Sequence, residues 1–396
     1  MKKSQTLAIL LLLSTIPCLM LAQKKELSQA RTILKSGKNV GQAEQLMVNL
    51  LKDSANHNDK NIYAVWYQAV QKQYEAANER LYLKQQQDTA QFFDLVHRMF
   101  SICETLDSLD SQPDKKGRTK PSYRTRHAED LNGYRGNLFF GGTYYLRKQQ
   151  YQKAFDFFQT YIDCAGQPLF QTYRYDSTDT RLPQAAYWAM TCGYKLQDPL
   201  LTLRHRTLAY RDTPHLDYAF QYTAEAWSWL KDDSLYHSTL VKGFNNNPRL
   251  SYFLTRLVDY YNARAQYEQA LQVSEQALRA DSVNELALYA KSNALLSLKR
   301  YGESVKVSLR LSEVNPTLPE PYYNAGMAYL NLALKLDPRK DKKQLKGLYQ
   351  KACTSMEKYR ELAPAQKQKW GPALYRIYLN LNMGKQFDEI DKILKN

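Results

Sequence analysis

The side chains that most often carry catalysis or bind metals are scattered in this chain. The six histidines show no ligand spacing, and His205 and His215 stand on either side of an expected helix end. The segment from Asp176 to Asp179 is acidic, but it lacks the pattern of a calcium-binding loop. Because Asp, Ser and Thr are common turn residues, we expect a turn there and not a cation site.

No sequence signature of a catalytic or nucleotide-binding site occurs in the chain. The phosphate-loop, dinucleotide-binding, nucleophile-elbow and HExxH patterns are all missing. Gly141 and Gly142 could bring a backbone close to a ligand, but the close crossing of two helices explains the pair. We therefore predict a protein that is not an enzyme and holds neither a cofactor nor a metal.

The segment 1–22 has the pattern of a secretory signal peptide. Two lysines precede an apolar run from Leu7 to Leu13, and we expect cleavage after Ala22. A transmembrane anchor is the alternative, but the apolar stretch is short and is interrupted by Pro17. The sequence therefore predicts a periplasmic or secreted protein of the cell envelope, without a transmembrane helix after cleavage.

Positive charge is concentrated in one short polar segment. The chain carries a formal net charge of +16, and part of it comes from a run of basic residues: Lys115, Lys116, Arg118, Lys120, Arg124 and Arg126. Such a run can bind an acidic glycan, an anionic surface or an acidic protein, and a solvated loop is the alternative. An exported protein rarely meets nucleic acid, so we expect no nucleic-acid partner.

The cysteines do not suggest a metal or redox motif. Cys103, Cys164, Cys192 and Cys353 follow the expected signal peptide without CxxC spacing. Export would permit a disulfide, and Cys164 with Cys192 is the plausible pair. Buried free thiols are the favoured interpretation.

A fixed period runs through the second half of the chain. The same interval separates the consecutive members of a first set, Pro214, Pro248, Ser282 and Pro316. It also separates Tyr267 from Tyr301. The period is about 34 residues, a length that predicts a stack of helix-turn-helix units. The low content of Gly and Pro, 15 and 14 in number, disfavours an all-β fold with many turns.

The periodic and polar segments divide the chain into parts. We expect a helical region over 23–111, a basic loop over 112–128 and a repeat array over 129–396. Insertions interrupt the array near 166–180 and 337–346. The helical patterns of 23–111 are long and amphipathic, and their repeat motif is weak.

The strongest single repeat follows the basic loop. Gly142, Tyr145, Ala154 and Phe158 have the spacing of a motif in which small residues let two helices cross closely. On these residues the chain resembles the tetratricopeptide-repeat (TPR) family, and its pattern is similar to exported TPR proteins of the Gram-negative envelope.

The resemblance covers Arg135 to Asn396 well and Lys24 to Ser111 weakly. The unit that begins at Pro183 departs from the motif, because it lacks the Gly/Tyr pair and has Pro199 in its turn. The resemblance implies an all-α, TPR-type helix-turn-helix solenoid that winds as a right-handed superhelix, with a less regular N-terminal helical part.

The resemblance also places the first helix of each repeat on a concave groove. The positions that face the groove hold Tyr187, Tyr194, Tyr218, Trp229, Tyr252, Asn262, Tyr289, Asn293 and Tyr323. Rings and amides of this kind can hold a peptide, which predicts a protein-protein interaction scaffold. The alternative is a glycan-binding accessory protein that uses the same rings. A clamp for a chain-terminal carboxylate is not expected, because Tyr289 replaces the lysine that would precede Asn293.

Overall fold

The computed structural model describes residues 23–114 and 116–395. Within these residues every regular element is a helix and no strand occurs, so the predicted all-α fold of successive helix pairs is confirmed. The expected signal peptide and Lys115 lie outside the described residues. The chain divides into two compact units, the first ending at Tyr222 and the second beginning at Thr223.

The first unit combines long helices with short connecting ones. They are α1 (23–36), α2 (Val40–Leu50), α3 (Lys60–Tyr82), α4 (Thr89–Asp110), α5 (Arg124–Tyr134), α6 (Gly136–Arg147), α7 (Tyr151–Asp163), α8 (Tyr175–Thr178), α9 (Leu182–Lys195), α10 (Pro199–Leu203) and α11 (Arg206–Ala209). Aspartates begin several of them: the carboxylate of Asp88 accepts the backbone N–H groups of Ala90 and Gln91. Such N-caps satisfy backbone donors that have no partner inside the helix.

The close crossing predicted at the glycine pair lies between α6 and α7. A Cβ atom on Gly141 would come within 2.5 Å of the Phe157 ring, and one on Gly142 within 2.7 Å of the Phe158 ring. Phe158 is completely buried, so its ring has no free space to move into. The two glycines are therefore required by packing.

The second unit continues the pattern with more regular helices. Helix α12 (Leu216–Trp229) crosses the boundary between the units, and these helices follow: α13 (Asp233–Asn246), α14 (Ser251–Ala263), α15 (Tyr267–Ala280), α16 (Glu285–Ser297), α17 (Tyr301–Val314), α18 (Glu320–Ala333), α19 (Lys342–Leu362), α20 (Lys367–Leu381) and α21 (Gly384–Lys395). From α13 onward each helix packs on the next. In addition α14 packs on α16, α16 on α18, and α18 on α20, which makes a stack of hairpins.

The repeat period appears in the backbone of the turns. Gln197, Lys231, Ala265 and Lys299 follow one another at intervals of one period, and each has a left-handed conformation with φ between 53° and 61°. In all four turns the next residue donates its backbone N–H to the carbonyl five positions earlier, as Gln266 does to Tyr261 and Arg300 to Leu295. A left-handed residue with this hydrogen bond is a common way to end a helix, although glycine usually holds the position.

The irregular segments contain more structure than the sequence predicts. Helix α5 begins at Arg124, inside the stretch predicted as a loop over 112–128. Its first residue is held by Asp107, whose carboxylate accepts two hydrogen bonds from the Arg124 guanidinium at 2.8 Å. The segment near 166–180 contains a 3-10 helix (Pro168–Tyr173) and α8.

A buried arginine fixes that segment against the preceding helices. The guanidinium of Arg135 lies 3.8 Å from the ring centroid of Tyr161 and 3.9 Å from that of Tyr175. It donates to the carboxylate of Asp179 at 2.6 Å. Asp179, which the sequence offered as a weak candidate cation ligand, is therefore already neutralised by a protein cation.

The cysteines and histidines considered as candidate ligands have structural roles in the described residues. Cys103, Cys164, Cys192 and Cys353 are buried and free, as the favoured interpretation expected. His205 lies 2.7 Å from the amide oxygen of Gln159, and His215 lies 2.8 Å from the carboxylate of Asp212. The described residues contain no group of three or more His, Cys, Asp or Glu placed to hold a metal ion. Among the described helices, none combines the length and the apolar character that crossing a bilayer requires.

Candidate functional site

The candidate site lies in the second unit, on a surface that we call the A-helix face. It is formed by α14, α16, α18 and α20, which pack side by side as the first helices of consecutive hairpins. Tyr289 on α16 and Tyr323 on α18 are separated by one period and so occupy the same repeat position. Asn293 and Met327 are related in the same way.

A cavity of about 330 Å³ opens on this face between α18 and α20. Tyr323, Met327, Leu330, Asn331 and Leu334 line it from the side of α18, and Gln368, Lys369, Pro372, Ala373 and Arg376 line it from α20. The side chains from α18 recur at the spacing of one helix face. Of the residues predicted for the groove, Tyr323 lines this cavity.

The lining residues of α20 were missed because an insertion shifts the register. The interval from Gly326 to Gly371 exceeds one period. Both glycines meet the second helix of their own hairpin: a Cβ atom on Gly326 would lie 2.8 Å from Met356, and one on Gly371 would lie 2.7 Å from Leu394. If Gly326 and Gly371 are aligned as the same repeat position, Pro372 is the residue equivalent to Met327.

The cavity has an apolar floor and a positively charged rim. Leu330 and Ala373 are buried, whereas Leu334 is 52% exposed. The ammonium group of Lys369 lies 5.8 Å from the ring centroid of Tyr323, within the range of a cation–π contact. No acidic side chain lines the cavity. The site can therefore take an apolar group next to a negative charge.

Tyr323 also belongs to a cluster of aromatic side chains next to the cavity. The ring of Tyr323 lies 5.1 Å from that of the buried Tyr359. Burial raises the pKa of Tyr289, and the nearby Glu320 and Tyr323 raise it further. Atom Oε2 of Glu320 is buried and accepts no hydrogen bond from the described residues. Such an acceptor is costly unless a partner or a solvent molecule supplies a donor.

The predicted groove residues nearer the start of the second unit differ in their surroundings. The hydroxyl of Tyr252 donates to Glu225 at 2.7 Å, and Arg256 lies 3.8 Å from the Tyr252 ring centroid and also binds Glu225. Atom Oδ1 of Asn262 is buried without a hydrogen-bond donor in the described chain. Trp229 ends α12 with an exposed ring.

In the first unit, the predicted residues belong to a stack of rings. Tyr187 is buried, and its ring stacks on His215 at 4.3 Å. Tyr194 stacks on Tyr222 at 4.2 Å, and Tyr222 lies 6.3 Å from both Tyr187 and Tyr218. Tyr218 is 53% exposed. These rings pack mainly against each other, so Tyr218 is the one that presents most of its surface.

The predicted basic loop separates into anchored and exposed charges. Arg124 is held by Asp107, and Arg118 pairs with Asp114 at 2.9 Å. Lys116, Lys120 and Arg126 are exposed. The structure therefore leaves a smaller free cationic surface than the sequence run suggests.

Comparisons with known proteins find likeness in structure and not in sequence. No family model and no curated protein sequence matches the chain. Among solved structures, the C-terminal part of a TPR repeat-containing protein from Cytophaga hutchinsonii is similar, with 17% identity, a TM-score of 0.43, and coverage of 64% of this chain and 93% of that chain.

Two yeast structures are also similar. Tom70 has 12% identity, a TM-score of 0.35, and coverage of 94% of this chain and 85% of that chain. The TPR2AB domain of Sti1, solved as a complex with pHSP90, has 10% identity, a TM-score of 0.25, and coverage of 63% of this chain and 99% of that chain.

The architecture is identified by the chain's own geometry. Left-handed turn residues recur at the repeat period, and hairpins stack through their first helices. Small residues stand where the two helices of a hairpin cross, at Gly142 and Gly326. Stacked helix-turn-helix units with a period of about 34 residues are the pattern of tetratricopeptide repeats. The chain has a TPR-like all-α fold of stacked helix hairpins.

Proposed function

We propose that the protein is a non-catalytic scaffold of the cell envelope that binds a protein or peptide partner on the A-helix face. The observation that carries this proposal is the cavity between α18 and α20, which Tyr323 and Met327 line from the first helix of their hairpin. Concave, mostly apolar sites with a few polar groups are the usual form of a binding pocket.

Two further features support a polypeptide as the occupant. Half-buried tyrosines supply contact area at low entropic cost, and tyrosine is enriched at protein interfaces. The cavity lining also contains Lys369 and Arg376, whose charged groups can donate hydrogen bonds to the carbonyls and carboxylates of a polypeptide.

A glycan remains the second candidate, and Tyr218 is the observation that favours it. Its ring is 53% exposed, so a sugar could stack on it. The rings of Tyr187 and Tyr222 stack on other aromatic rings, however, which leaves less aromatic surface free than a glycan platform needs.

The proposed export rests on the sequence pattern of residues 1–22. The Cytophaga protein and the yeast proteins are similar in fold, and the interaction of Sti1 with pHSP90 is a property of that protein. A binding role for this chain is the function that its cavity and its repeat fold support best.

Site-specific photo-crosslinking in cells that produce the protein tests the proposal. A photo-reactive amino acid would replace Asn331, which lines the cavity, and in a matched control Gln350, which is exposed on α19. We expect a protein partner to be captured from position 331 and not from position 350. Capture of no protein at 331, or equal capture at both, contradicts the proposal.

A further inference from the structure

The cavity between α18 and α20 carries positive charge that the protein does not neutralise. Lys369 and Arg376 both line it, and neither forms an ion pair with a residue of the described chain. Nearby cations behave differently, since Arg360 pairs with Glu389 at 2.7 Å and Lys358 with Glu361 at 2.7 Å. An uncompensated pair of cations beside an apolar cavity favours a ligand with carboxylates.

The wall of the cavity also contains a break in helical hydrogen bonding. Pro372 lies inside α20 and has no N–H, so the helical hydrogen bond to the carbonyl of Gln368 is missing. Gln368 and Pro372 both line the cavity. The carbonyl of a wall residue, Gln368, therefore lacks its usual helical donor.

The chain that leaves the cavity is strongly basic. Leu334 lines the cavity, and the following segment contains Lys335, Arg339, Lys340, Lys342, Lys343 and Lys346. Its two acids are used locally: Asp337 accepts the backbone N–H of Arg339, and Asp341 accepts that of Asp337. In the sequence, positive charge thus exceeds negative charge from the end of the cavity into the insertion.

We propose that the cavity binds an internal acidic segment of a partner protein, in which one large apolar side chain is flanked by Asp or Glu residues. The apolar side chain enters between Met327, Leu330 and Ala373. The flanking carboxylates pair with Lys369 and Arg376, and a backbone N–H donates to the carbonyl of Gln368. This inference rests on the proposed function and specifies the chemistry of its partner.

Synthetic peptides test the inference on the chain that begins at Gln23. The probe is a short fluorescent peptide, blocked at both ends, with a central leucine flanked on each side by glutamates. One comparison peptide has alanine at the centre, and another has lysines as flanks. We expect binding of the glutamate–leucine peptide by fluorescence anisotropy, weakened about tenfold or more by the central alanine and abolished by the lysine flanks. Affinity should also fall as salt is added.

Charge reversal supplies the matched variants. Lys369→Glu with Arg376→Glu should lose the glutamate–leucine peptide and gain the lysine-flanked one. Lys385→Glu with Lys392→Glu makes the same charge change on exposed positions of α21 and should leave binding unchanged. Circular dichroism melting of both variants separates binding from folding.

The outcomes separate this inference from the proposed function. If the glutamate–leucine peptide fails to bind, or binds equally to the Lys369→Glu/Arg376→Glu variant, the acidic-segment inference is wrong. A partner captured at position 331 would in that case still support the binding function. Absence of any captured partner would contradict the function itself.

Discussion

At Gly193 the backbones of α9 and α10 approach so closely that only a glycine fits. A Cβ atom there would lie 2.4 Å from the backbone nitrogen of Thr202 and 2.7 Å from the carbonyl carbon of Leu201. Backbone atoms cannot rotate away as the end of a side chain can. Gly193 therefore lets α9 and α10 pack closely, as Gly142 does for α6 and α7.

We expect Gly193→Ala to lower the free energy of unfolding by about 1–3 kcal/mol, because overpacking displaces a helix. Gly347→Ala in α19 is the matched control, since nothing lies within 4 Å of its added Cβ. It should raise stability by about 0.5–1 kcal/mol through helix propensity. Denaturant unfolding of both variants measures the difference, and equal stability of the two would contradict the close-packing argument.

Glu104 is a half-buried residue whose carboxylate atom Oε1 is buried and has no hydrogen-bond donor among the described residues. Burial raises its pKa to about 7, and the neighbouring Asp163 contributes in the same direction. The native pKa thus lies above the ordinary value of 4.5. The charged form is disfavoured in the folded state, so the free energy of unfolding falls as the pH rises from about 4.5 through about 7.

Glu104→Gln should remove this loss of stability. Above the native pKa the variant should be more stable than the wild type by on the order of 2 kcal/mol, and the difference should vanish below the unfolded pKa. Thermal melting across this pH range is the measurement, with the exposed Glu313→Gln as control. A constant difference at all pH values would show that titration of Glu104 is not the cause.

At the scale of elements, Asp110 near the end of α4 holds the segment that follows this helix. Asp110 accepts the ammonium group of Lys60 at 2.7 Å and the backbone N–H groups of Ser122 and Tyr123. Burial acts to raise the pKa of Asp110, but these hydrogen bonds outweigh it and hold the pKa below its usual value. The stability they provide is present above the unfolded pKa and is lost as the pH falls through the native one.

Asp110→Ala should detach residues 111–123 from the body of the first unit. We expect a loss of about 2–3 kcal/mol, because hydrogen bonds to a charged, buried acceptor are broken. Trypsin should then cut faster after Lys116 and Arg118. Glu129→Ala is the control, since Glu129 is also acidic but is exposed on α5. Unchanged cleavage in Asp110→Ala would argue against the anchor.

The sequence predicts the regular elements better than the irregular ones, for a physical reason. Repeats such as α14 to α17 pack the same positions in every period, so periodic residues reveal them. The contact between Asp110 and Tyr123 and the clamp of Arg135 on Asp179 depend on single long-range pairs that leave no periodic signal. The lining residues of α20 were also missed, because the insertion before this helix shifts its residues away from the repeat period.

The left-handed turns show a further limit of sequence reading. Gln197, Lys231, Ala265 and Lys299 hold positions where a glycine would have signalled the conformation. Their spacing equals the period, but their residue types do not share a property that marks such a turn. All four turns share a backbone hydrogen bond, which depends on no particular side chain.

At the scale of the whole molecule, export is a prediction from residues 1–22. These residues lie outside the described part of the chain, which starts at Gln23 in α1. We expect the protein purified from the producing cells to have Gln23 at or near its N-terminus, because a signal peptidase would cleave after Ala22. Intact-mass and N-terminal peptide analysis of the envelope fraction measures this. Retention of Met1 there would contradict the prediction.

The central claim is that the A-helix face of the second unit binds a protein partner. The most direct test is the affinity of the purified chain for the partner captured at position 331, compared between two variants. Tyr323→Ala with Met327→Ala alters the cavity, whereas Leu309→Ala removes an exposed apolar side chain from α17. We predict that the double variant binds at least about tenfold more weakly, since buried aromatic anchors dominate interfaces, and that Leu309→Ala binds as the wild type does. Unchanged affinity in a folded double variant would contradict the claim.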